Sequence, residues 1–280
     1  MSDYTFDTPQ PITLVVKNLG GKVVLRATDD GVTRVNLTGS TADDCTVSQV
    51  GDTITVLSPH FDWAGGGWMR NWFRRQRIDM TIDAPAGSDV TLQLGGGETD
   101  ITGKFGRLEV RPGAGDVRVA EAGERTEVNL GAGNITIDKV TGATHLVSGA
   151  GNIRIGEVGG EARLQLGTGD VGIGHVTAPV YVKSGAGNVK VSSVAGDVTV
   201  DTSLGSTTID CISTGRLTYR GTGGDIKVGV LKGTPTWTEL STVVGRVSNA
   251  LPSVGEPKPG QDHVELRITM VSGAIQLFPV

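Results

Sequence analysis

The sequence predicts an all-β protein: a single-stranded β-helix (β-solenoid) with 18-residue coils of two short strands each, capped by irregular β segments at both ends. Three observations carry this prediction. A glycine motif recurs every 18 residues, β-branched residues alternate after each copy, and the composition is unusual. Of the 280 residues, 43 are Gly, whereas only 4 are Trp, 3 are Tyr and 5 are Phe. Such a composition suits many tight turns and a thin aliphatic core.

The glycine motif has the form Gly-x-Gly-Asp/Asn-Val/Ile, and a constant spacing of this kind is the signature of a repeat architecture. Clear copies begin at Gly113, Gly131, Gly149, Gly167 and Gly185. Degenerate copies begin at position 95, before the clear ones, and at positions 203 and 221, after them. We place one inserted residue in the copy at 221. The sequence therefore predicts eight regular coils over residues 95–238.

Two strands are predicted in each coil. The first follows the motif and alternates aliphatic with other residues, as at Ile153 and Ile155. The second precedes the next motif and alternates in the same way, as at Leu164 and Leu166. Alternation with β-branched residues is typical of a strand with one buried face. Because the aliphatic positions keep one phase, we expect them to form inward columns along the stack.

Irregular β segments flank the regular coils. Strands are predicted over residues 12–16, 22–26, 33–37, 53–56 and 78–82, followed by the alternating Val90, Leu92 and Leu94. We therefore interpret residues 1–94 as a β region that is continuous with the solenoid and caps it. Residues 239–280 contain a Pro/Gly-rich connection and a last pair of strands, over 263–270 and 274–279. We predict that this part caps the other end.

Three features of the sequence together indicate a family resemblance: the Gly-x-Gly-Asp/Asn-Val/Ile array, the segment Ser241–Leu251 and the C-terminal segment Val264–Leu277. With them the chain resembles the bacterial "putative adhesin" β-strand-repeat family of unknown function, especially its actinobacterial branch. The resemblance covers nearly the whole chain. It implies a β-helix fold and a link to envelope or stress-related gene neighbourhoods, and it transfers no catalytic residue.

Motifs for catalysis, cofactors and metals are not evident in the sequence. The fourth motif position mixes acids and amides, whereas a calcium-binding ladder needs carboxylates from successive turns. Asp116 and Asp170 share a column three coils apart, roughly 14 Å by strand spacing, which is too far for a pair of glycosidase carboxylates. The cysteines, Cys45 and Cys211, show no CxxC spacing, so we expect free thiols. We predict a protein that is not an enzyme and has no cofactor, no catalytic residue and no bound metal.

The charge and the N-terminal residues bear on partners and location. Lys plus Arg number 25 against 30 Asp plus Glu, a formal net charge of −5. A balance of this sign gives no global attraction for nucleic acid, so no nucleic-acid partner is expected. Residues 1–11 lack the basic region and apolar stretch of a secretory signal. We therefore expect a cytoplasmic protein.

One segment, the aromatic/Arg loop over residues 60–77, departs from the rest of the chain. It holds three of the four Trp and four Arg against one Asp. Our candidate partner-binding residues are Trp63, Trp68, Trp72, Phe73, Arg70, Arg74, Arg75 and Arg77. Four interpretations stay open. The aromatics could plug the end or flank of the solenoid, or form a protein-recognition site of the Trp- and Arg-rich kind. They could also anchor the chain at a membrane interface or stack on single-stranded nucleic acid. The run 68–77 also fits a short helix.

The function predicted from the sequence is a non-enzymatic scaffold or protein-interaction module. We expect the partner to be another protein or a second copy of the chain, with peripheral membrane contact through the aromatic/Arg loop as a further option. Alternative hypotheses are a self-assembling structural protein and a β-helix protein that binds or cleaves polysaccharide.

Overall fold

The computed structural model describes residues 1–59, 77–253, 255 and 260–280, and this part of the chain is all-β. Its one helical piece is a 3-10 turn, η1 (Ala42–Asp44). No helix within the described ranges has the length and apolar character needed to cross a bilayer. The chain divides into two compact units, Met1–Ile137 (unit 1) and Asp138–Val280 (unit 2).

Unit 1 is built from short strands with an apolar residue at every second position. They are β1 (Ser2–Asp7), β2 (Thr13–Asn18), β3 (Val23–Thr28), β4 (Val32–Gly39), β5 (Thr46–Val50), β6 (Thr53–Leu57), β7 (Ile78–Pro85), β8 (Asp89–Gly96), β9 (Thr99–Thr102), β10 (Arg107–Ala114), β11 (Val117–Ala122) and β12 (Arg125–Ala132). The next strand, β13 (Ile135–Val140), contains the division between the units.

These strands form two sheets in unit 1. Sheet 1A has the order β1-β4-β7-β3-β9-β11, and its β1–β4 and β4–β7 pairs are antiparallel while the other pairs are parallel. Sheet 1B has the order β5-β6-β2-β8-β10-β12, with only β5–β6 antiparallel. A strand of 1B followed by a strand of 1A makes one coil, and the alternating aliphatic residues of both sheets form the core.

Coil order in unit 1 differs from chain order. The β2–β3 coil lies between the β8–β9 coil and the β6–β7 coil, so Leu14 pairs with Val90 on one side and with Ile54 on the other. From the sequence we expect residues 1–94 to continue the solenoid and cap it, and their alternation does not give the order of the strands. The structure threads the first complete coil into the interior. Beyond β7 lie the antiparallel strands β4 and β1, and beyond β6 lies the antiparallel strand β5.

The chain crosses from sheet 1A to sheet 1B in the connection between β4 and β5, and this connection contains η1. Ala42 in this turn and Cys45 after it are buried, at 1% and 8% exposure. Neither β1 nor β5 is among the strands that the sequence predicts. The residues of β5 are almost all exposed, so this strand lacks the buried alternation of the others. Unit 1 thus ends in antiparallel edges with a small buried turn between them.

Unit 2 contains strands with the same alternation. They are β14 (Ala143–Ala150), β15 (Ile153–Val158), β16 (Ala162–Thr168), β17 (Val171–Val176), β18 (Val180–Ala186), β19 (Val189–Ala195), β20 (Val198–Leu204), β21 (Thr207–Gly223), β22 (Ile226–Val230), β23 (Thr236–Val244), β24 (Val247–Asn249), β25 (Val264–Ser272) and β26 (Ile275–Pro279). The strand β21 is long because it bends from one sheet into the other.

Parallel pairing at an offset of 18 residues dominates unit 2. In sheet 2A, Ile153 pairs with Val171, which pairs with Val189, which pairs with Thr207. In sheet 2B, β14, β16, β18 and β20 follow one another in the same way. The aliphatic columns expected from the sequence are therefore present here, and Ile153 and Ile155 are 0% and 3% exposed.

The offset changes to 19 within β21. The register shifts between the Val194–Ile212 pair and the Ala195–Thr214 pair, which leaves Ser213 as the additional residue. Its hydroxyl donates to the carbonyl of Val194 at 3.2 Å. From the sequence we place the inserted residue in the motif at position 221. In the structure the additional residue is Ser213, which forms a bulge before that motif.

The C-terminal coils are also out of chain order. β25 pairs with β21 on one side and with β23 on the other, and β26 lies between β22 and β24. From the sequence we expect residues 239–280 to cap the stack; within this part the last pair of strands, β25 and β26, is interior. The terminal coil of unit 2 is β23–β24, and the described residues place no further strand beside it.

Candidate interaction surfaces

The aromatic/Arg loop joins the end of β6 to the start of β7. Twenty residues, 58–77, therefore separate a strand of sheet 1B from a strand of sheet 1A. At the equivalent corner of the β8–β9 coil the connection is only Gly97 and Glu98. The loop is thus an insertion at one corner, where a regular coil needs a two-residue turn.

Hydrogen bonds fix both ends of this insertion to the corner of the neighbouring β2–β3 coil. The Ser58 amide donates to the Lys17 carbonyl at 2.8 Å, and its hydroxyl accepts from the Leu19 amide at 3.2 Å. The Ile78 amide donates to the Gly20 carbonyl at 2.9 Å, and its carbonyl accepts from Asn18 Nδ2 at 2.8 Å. Both ends bond to residues 17–20, so they lie at one corner of unit 1.

Of the candidate partner-binding residues, only Arg77 lies within the described residues. It is exposed and stands directly before β7. The other seven candidates lie outside the described residues: Trp63, Trp68, Trp72, Phe73, Arg70, Arg74 and Arg75. The short helix predicted over 68–77 also lies outside them, except for its last residue. What the structure supplies for this candidate site is the location and attachment of its two ends.

A second candidate surface is the outer face of sheet 2B, which composition did not single out. Tyr181 on β18 is exposed, and the Arg163 guanidinium lies 5.1 Å from its ring centroid. Gln165 and His145 side-chain nitrogens lie 3.4 Å apart. A shallow groove of about 370 Å³ runs across four strands beside them, and its lining includes Gln165, Lys183 and Asp201. The 18-residue offset brings these residues from separate coils into one row.

The Asp/Asn column at the corners of unit 2 forms a hydrogen-bonded ladder. The Asp170 carboxylate accepts from the Asn188 amide at 2.8 Å and from Asn188 Nδ2 at 3.1 Å. The Asp170 amide donates to Asn152 Oδ1, and the Ser206 amide donates to Asn188 Oδ1. Each side chain therefore satisfies a backbone donor one coil away, a structural role that Asp and Asn commonly take in turns.

Groups suited to metal binding do not cluster in the described ranges, where no set of three or more His, Cys, Asp or Glu side chains converges. His263 faces Glu265, with Nε2 to Oε1 at 3.8 Å. Glu265 also accepts from Arg216 at 2.7 Å, and this hydrogen bond holds the pKa of Glu265 below its usual value. Both cysteines are free thiols, as predicted.

A third candidate surface is the edge formed by the terminal coil β23–β24, which we call the open edge. Its outward Trp237 is 49% exposed, and the Arg267 guanidinium lies 5.2 Å from its ring centroid. Val243 and Val244 are 77% and 65% exposed, which is high for such large apolar side chains. The sequence did not reveal this surface, because the alternation of β23 and β24 does not show which coil within residues 239–280 is terminal.

Comparisons with known proteins give structural likenesses at low identity. No protein-family model and no curated protein matches the chain. A "putative adhesin" from Bacteroides fragilis is 12% identical with a TM-score of 0.38, covering 100% of this chain and 96% of that chain. A "putative lipid binding protein" from Parabacteroides distasonis is 11% identical with a TM-score of 0.44, at the same coverages. A "putative adhesin" from that organism is 9% identical with a TM-score of 0.38, covering 98% of this chain and 96% of that chain.

Proposed function

We propose that the chain is a β-solenoid that acts as a non-enzymatic interaction module in the cytoplasm, with another protein as its partner. The solenoid interpretation is supported by the regular coils of each unit, in which parallel strands of two sheets pair at an 18-residue offset and enclose one aliphatic core. A rigid repeat body of this kind presents loops and outer faces at fixed spacing, which suits recognition of a partner.

One observation carries the proposal: the insertion of the aromatic/Arg loop at a single corner of unit 1. A two-residue turn would close the β6–β7 corner as it closes the β8–β9 corner, so the coil does not need the extra residues for its own fold. The insertion concentrates Trp and Arg, the residues that dominate binding hot spots. We therefore assign partner recognition to this loop.

The test compares the double variant Trp68→Ala/Trp72→Ala with Tyr4→Ala as a control, because Tyr4 is a half-buried aromatic residue of β1 that lies outside every candidate surface. We expect the double variant to lose capture of the partner from native lysate while its melting temperature stays within a few degrees. The control should keep capture. A loss of several kcal/mol in the double variant with capture retained would instead identify the loop as a cap.

A charge variant separates the protein partner from a membrane. Arg74→Glu/Arg75→Glu should leave sedimentation with anionic phosphatidylserine vesicles unchanged if the partner is a protein. Salt-dependent vesicle binding by the wild type that this variant loses would identify a lipid surface and overturn the assignment to a protein.

The outer face of sheet 2B supports a second candidate function, the binding of an extended polysaccharide. Tyr181 offers an exposed ring, and Gln165, Lys183 and Asp201 line the adjacent groove. An aromatic platform beside polar groups suits the apolar faces and hydroxyls of a sugar chain. Tyr181→Ala should weaken binding to soluble polysaccharides at least tenfold by calorimetry, whereas Lys190→Ala on sheet 2A should not. Equal affinities of the two variants would exclude this face.

A further inference from the structure

The open edge leaves one side of the terminal coil without a strand partner. β23 pairs with β25 and β24 pairs with β26, and among the described residues no strand pairs with the other side of either. An edge of this kind presents a row of unpaired N–H and C=O groups and is a template for a further strand. The described residues of the following connection, 250–253, 255 and 260–263, are exposed apart from the half-buried Leu251.

The core beneath this edge is also incompletely covered. The inward residues of β23 are Thr236, Thr238, Leu240 and Thr242, and all four are half-buried. Their partners on β25 are Val264, Leu266, Ile268 and Met270, which are exposed by 2% or less. The layer formed by β23 therefore shields the core on one side and faces an unoccupied position on the other.

We propose that the open edge is a two-fold interface between two copies of this chain, in which β23 pairs antiparallel with β23 of the second copy and Leu240 lies opposite Leu240. The first support is the sequence of the strand, which is self-complementary about Leu240. In this register Glu239 faces Ser241, Thr238 faces Thr242 and Trp237 faces Val243 of the second copy. An aromatic opposite a β-branched residue and Thr opposite Thr are favourable cross-strand pairs.

Neighbouring registers are less favourable. A register centred on Glu239 would place the two Glu239 carboxylates opposite each other, which is repulsive. A register centred on Ser241 would oppose Glu239 to Val243 and leave Trp237 opposite Gly245. A shift by a single residue between facing strands would turn the inward face of one copy outward. The Leu240-centred register is the one that keeps both faces aligned, avoids facing carboxylates and gives Trp237 a facing side chain to pack against.

The two-fold axis runs along the normal of sheet 2B. It reverses each strand and therefore continues sheet 2B of one copy into sheet 2B of the other. The arrangement is isologous and closed, so it predicts a dimer rather than a filament. It also covers Val243, Val244 and the half-buried inner residues of β23.

A cysteine trap tests the register. Facing residues of antiparallel strands have Cα atoms about 4.5–5.5 Å apart, which is within the range of a disulfide. In a Cys211→Ser background, Leu240→Cys should form a covalent dimer under mild oxidation. Thr238→Cys and Thr242→Cys should each stay monomeric on a denaturing gel, but a mixture of the two should cross-link. Absence of a Leu240→Cys cross-link, or cross-linking of Thr238→Cys alone, would overturn the proposal.

Charge variants test the interface in the unmodified backbone. Ser241→Glu opposes two pairs of carboxylates across the two-fold axis, so the dimer dissociation constant from sedimentation velocity should rise at least tenfold. Ser241→Lys opposes Lys to Glu239 and should lower it. Thr269→Glu is the matched control, because Thr269 is exposed and pairs with Ser241 one strand further in. A wild type that is monomeric at every concentration, or a Thr269→Glu effect equal to that of Ser241→Glu, would refute the interface.

Discussion

Gly169 shows why the third position of the corner motif is a glycine. Its φ is +131°, and a Cβ atom there would lie 1.8 Å from the Gly151 carbonyl oxygen one coil away. Two independent constraints act on this residue, since the backbone conformation disfavours L side chains and the stacked backbone leaves no space. Gly167 has no positive φ, but its Cβ would still lie 2.4 Å from the Gly149 carbonyl oxygen. Both repeat glycines are therefore required by the packing of one corner on the next.

Gly169→Ala should destabilise the protein, and Gly172→Ala should not. The positive φ alone costs roughly 1–3 kcal/mol, and the backbone contact adds to this. Gly172 lies in the strand β17 with ordinary φ, and its nearest neighbour would be Arg154 Cγ at 3.9 Å. A Cβ there should be neutral or stabilise by up to about 1 kcal/mol. Urea unfolding of both variants checks this, and equal midpoints would contradict the packing argument.

The two thiols should differ in reactivity because Cys45 is buried in the β4–β5 connection and Cys211 is half-buried on β21. Burial, with a smaller contribution from Asp44 and Asp43, raises the pKa of Cys45 to about 11. A raised pKa leaves little thiolate at pH 8, and the thiolate is the reactive form. Titration with a disulfide reagent at pH 8 should therefore modify Cys211 in the native protein and Cys45 only after unfolding. Rapid native modification of Cys45 would be inconsistent with its burial.

The corner ladder of unit 2 is an element that links neighbouring coils through side chains. Asp170→Ala removes the acceptor for two hydrogen bonds from Asn188 and should cost about 1–2 kcal/mol, in the range of hydrogen bonds to charged groups. Asp170→Asn keeps an oxygen at the same place and should lose less than about 0.5 kcal/mol, since the amide oxygen can accept the same donors. Thermal melting distinguishes the two. A large loss in Asp170→Asn would show that charge, rather than the acceptor, matters.

The strands of the regular coils were predictable, whereas the order of the outer coils was not. The sequence pattern at Leu14 and Val16 is the same as the pattern at Leu266 and Ile268, because each strand buries alternate side chains in the core. The pattern therefore identifies the inward residues but not the neighbours of a coil. The insertion of β2–β3 and of β25–β26 between other coils depends on long connections that carry no periodic signal. The aromatic/Arg loop could be found from the sequence because its composition is unusual. The open edge could not, because it is defined by which coil is terminal, and only the strand pairing shows that.

At the scale of the whole molecule, stability in a repeat body is a sum of coil and neighbour contributions. Each inner coil of unit 2 pairs its strands with those of the coils on either side, as in β16–β18 and β17–β19. Because equivalent residues recur at an offset of 18, the inward and outward positions of one coil match those of the next. Removing one complete period should therefore bring matching faces together.

Deletion of residues 163–180 should give a folded, shorter protein. The new junction joins Ala162 to Tyr181, which takes the place of its register partner Arg163. Leu146 would then face Val182, and Ile153 would face Val189, so every inward residue stays inward. We expect cooperative thermal unfolding a few degrees below that of the intact chain, because one coil's share of buried surface is lost. Deletion of residues 163–179 is the control, since its 17-residue length turns every following side chain of the strand to the opposite face. That variant should aggregate or lack a cooperative transition by circular dichroism. Similar melting of the two deletions would mean that coil register does not govern the stability of unit 2.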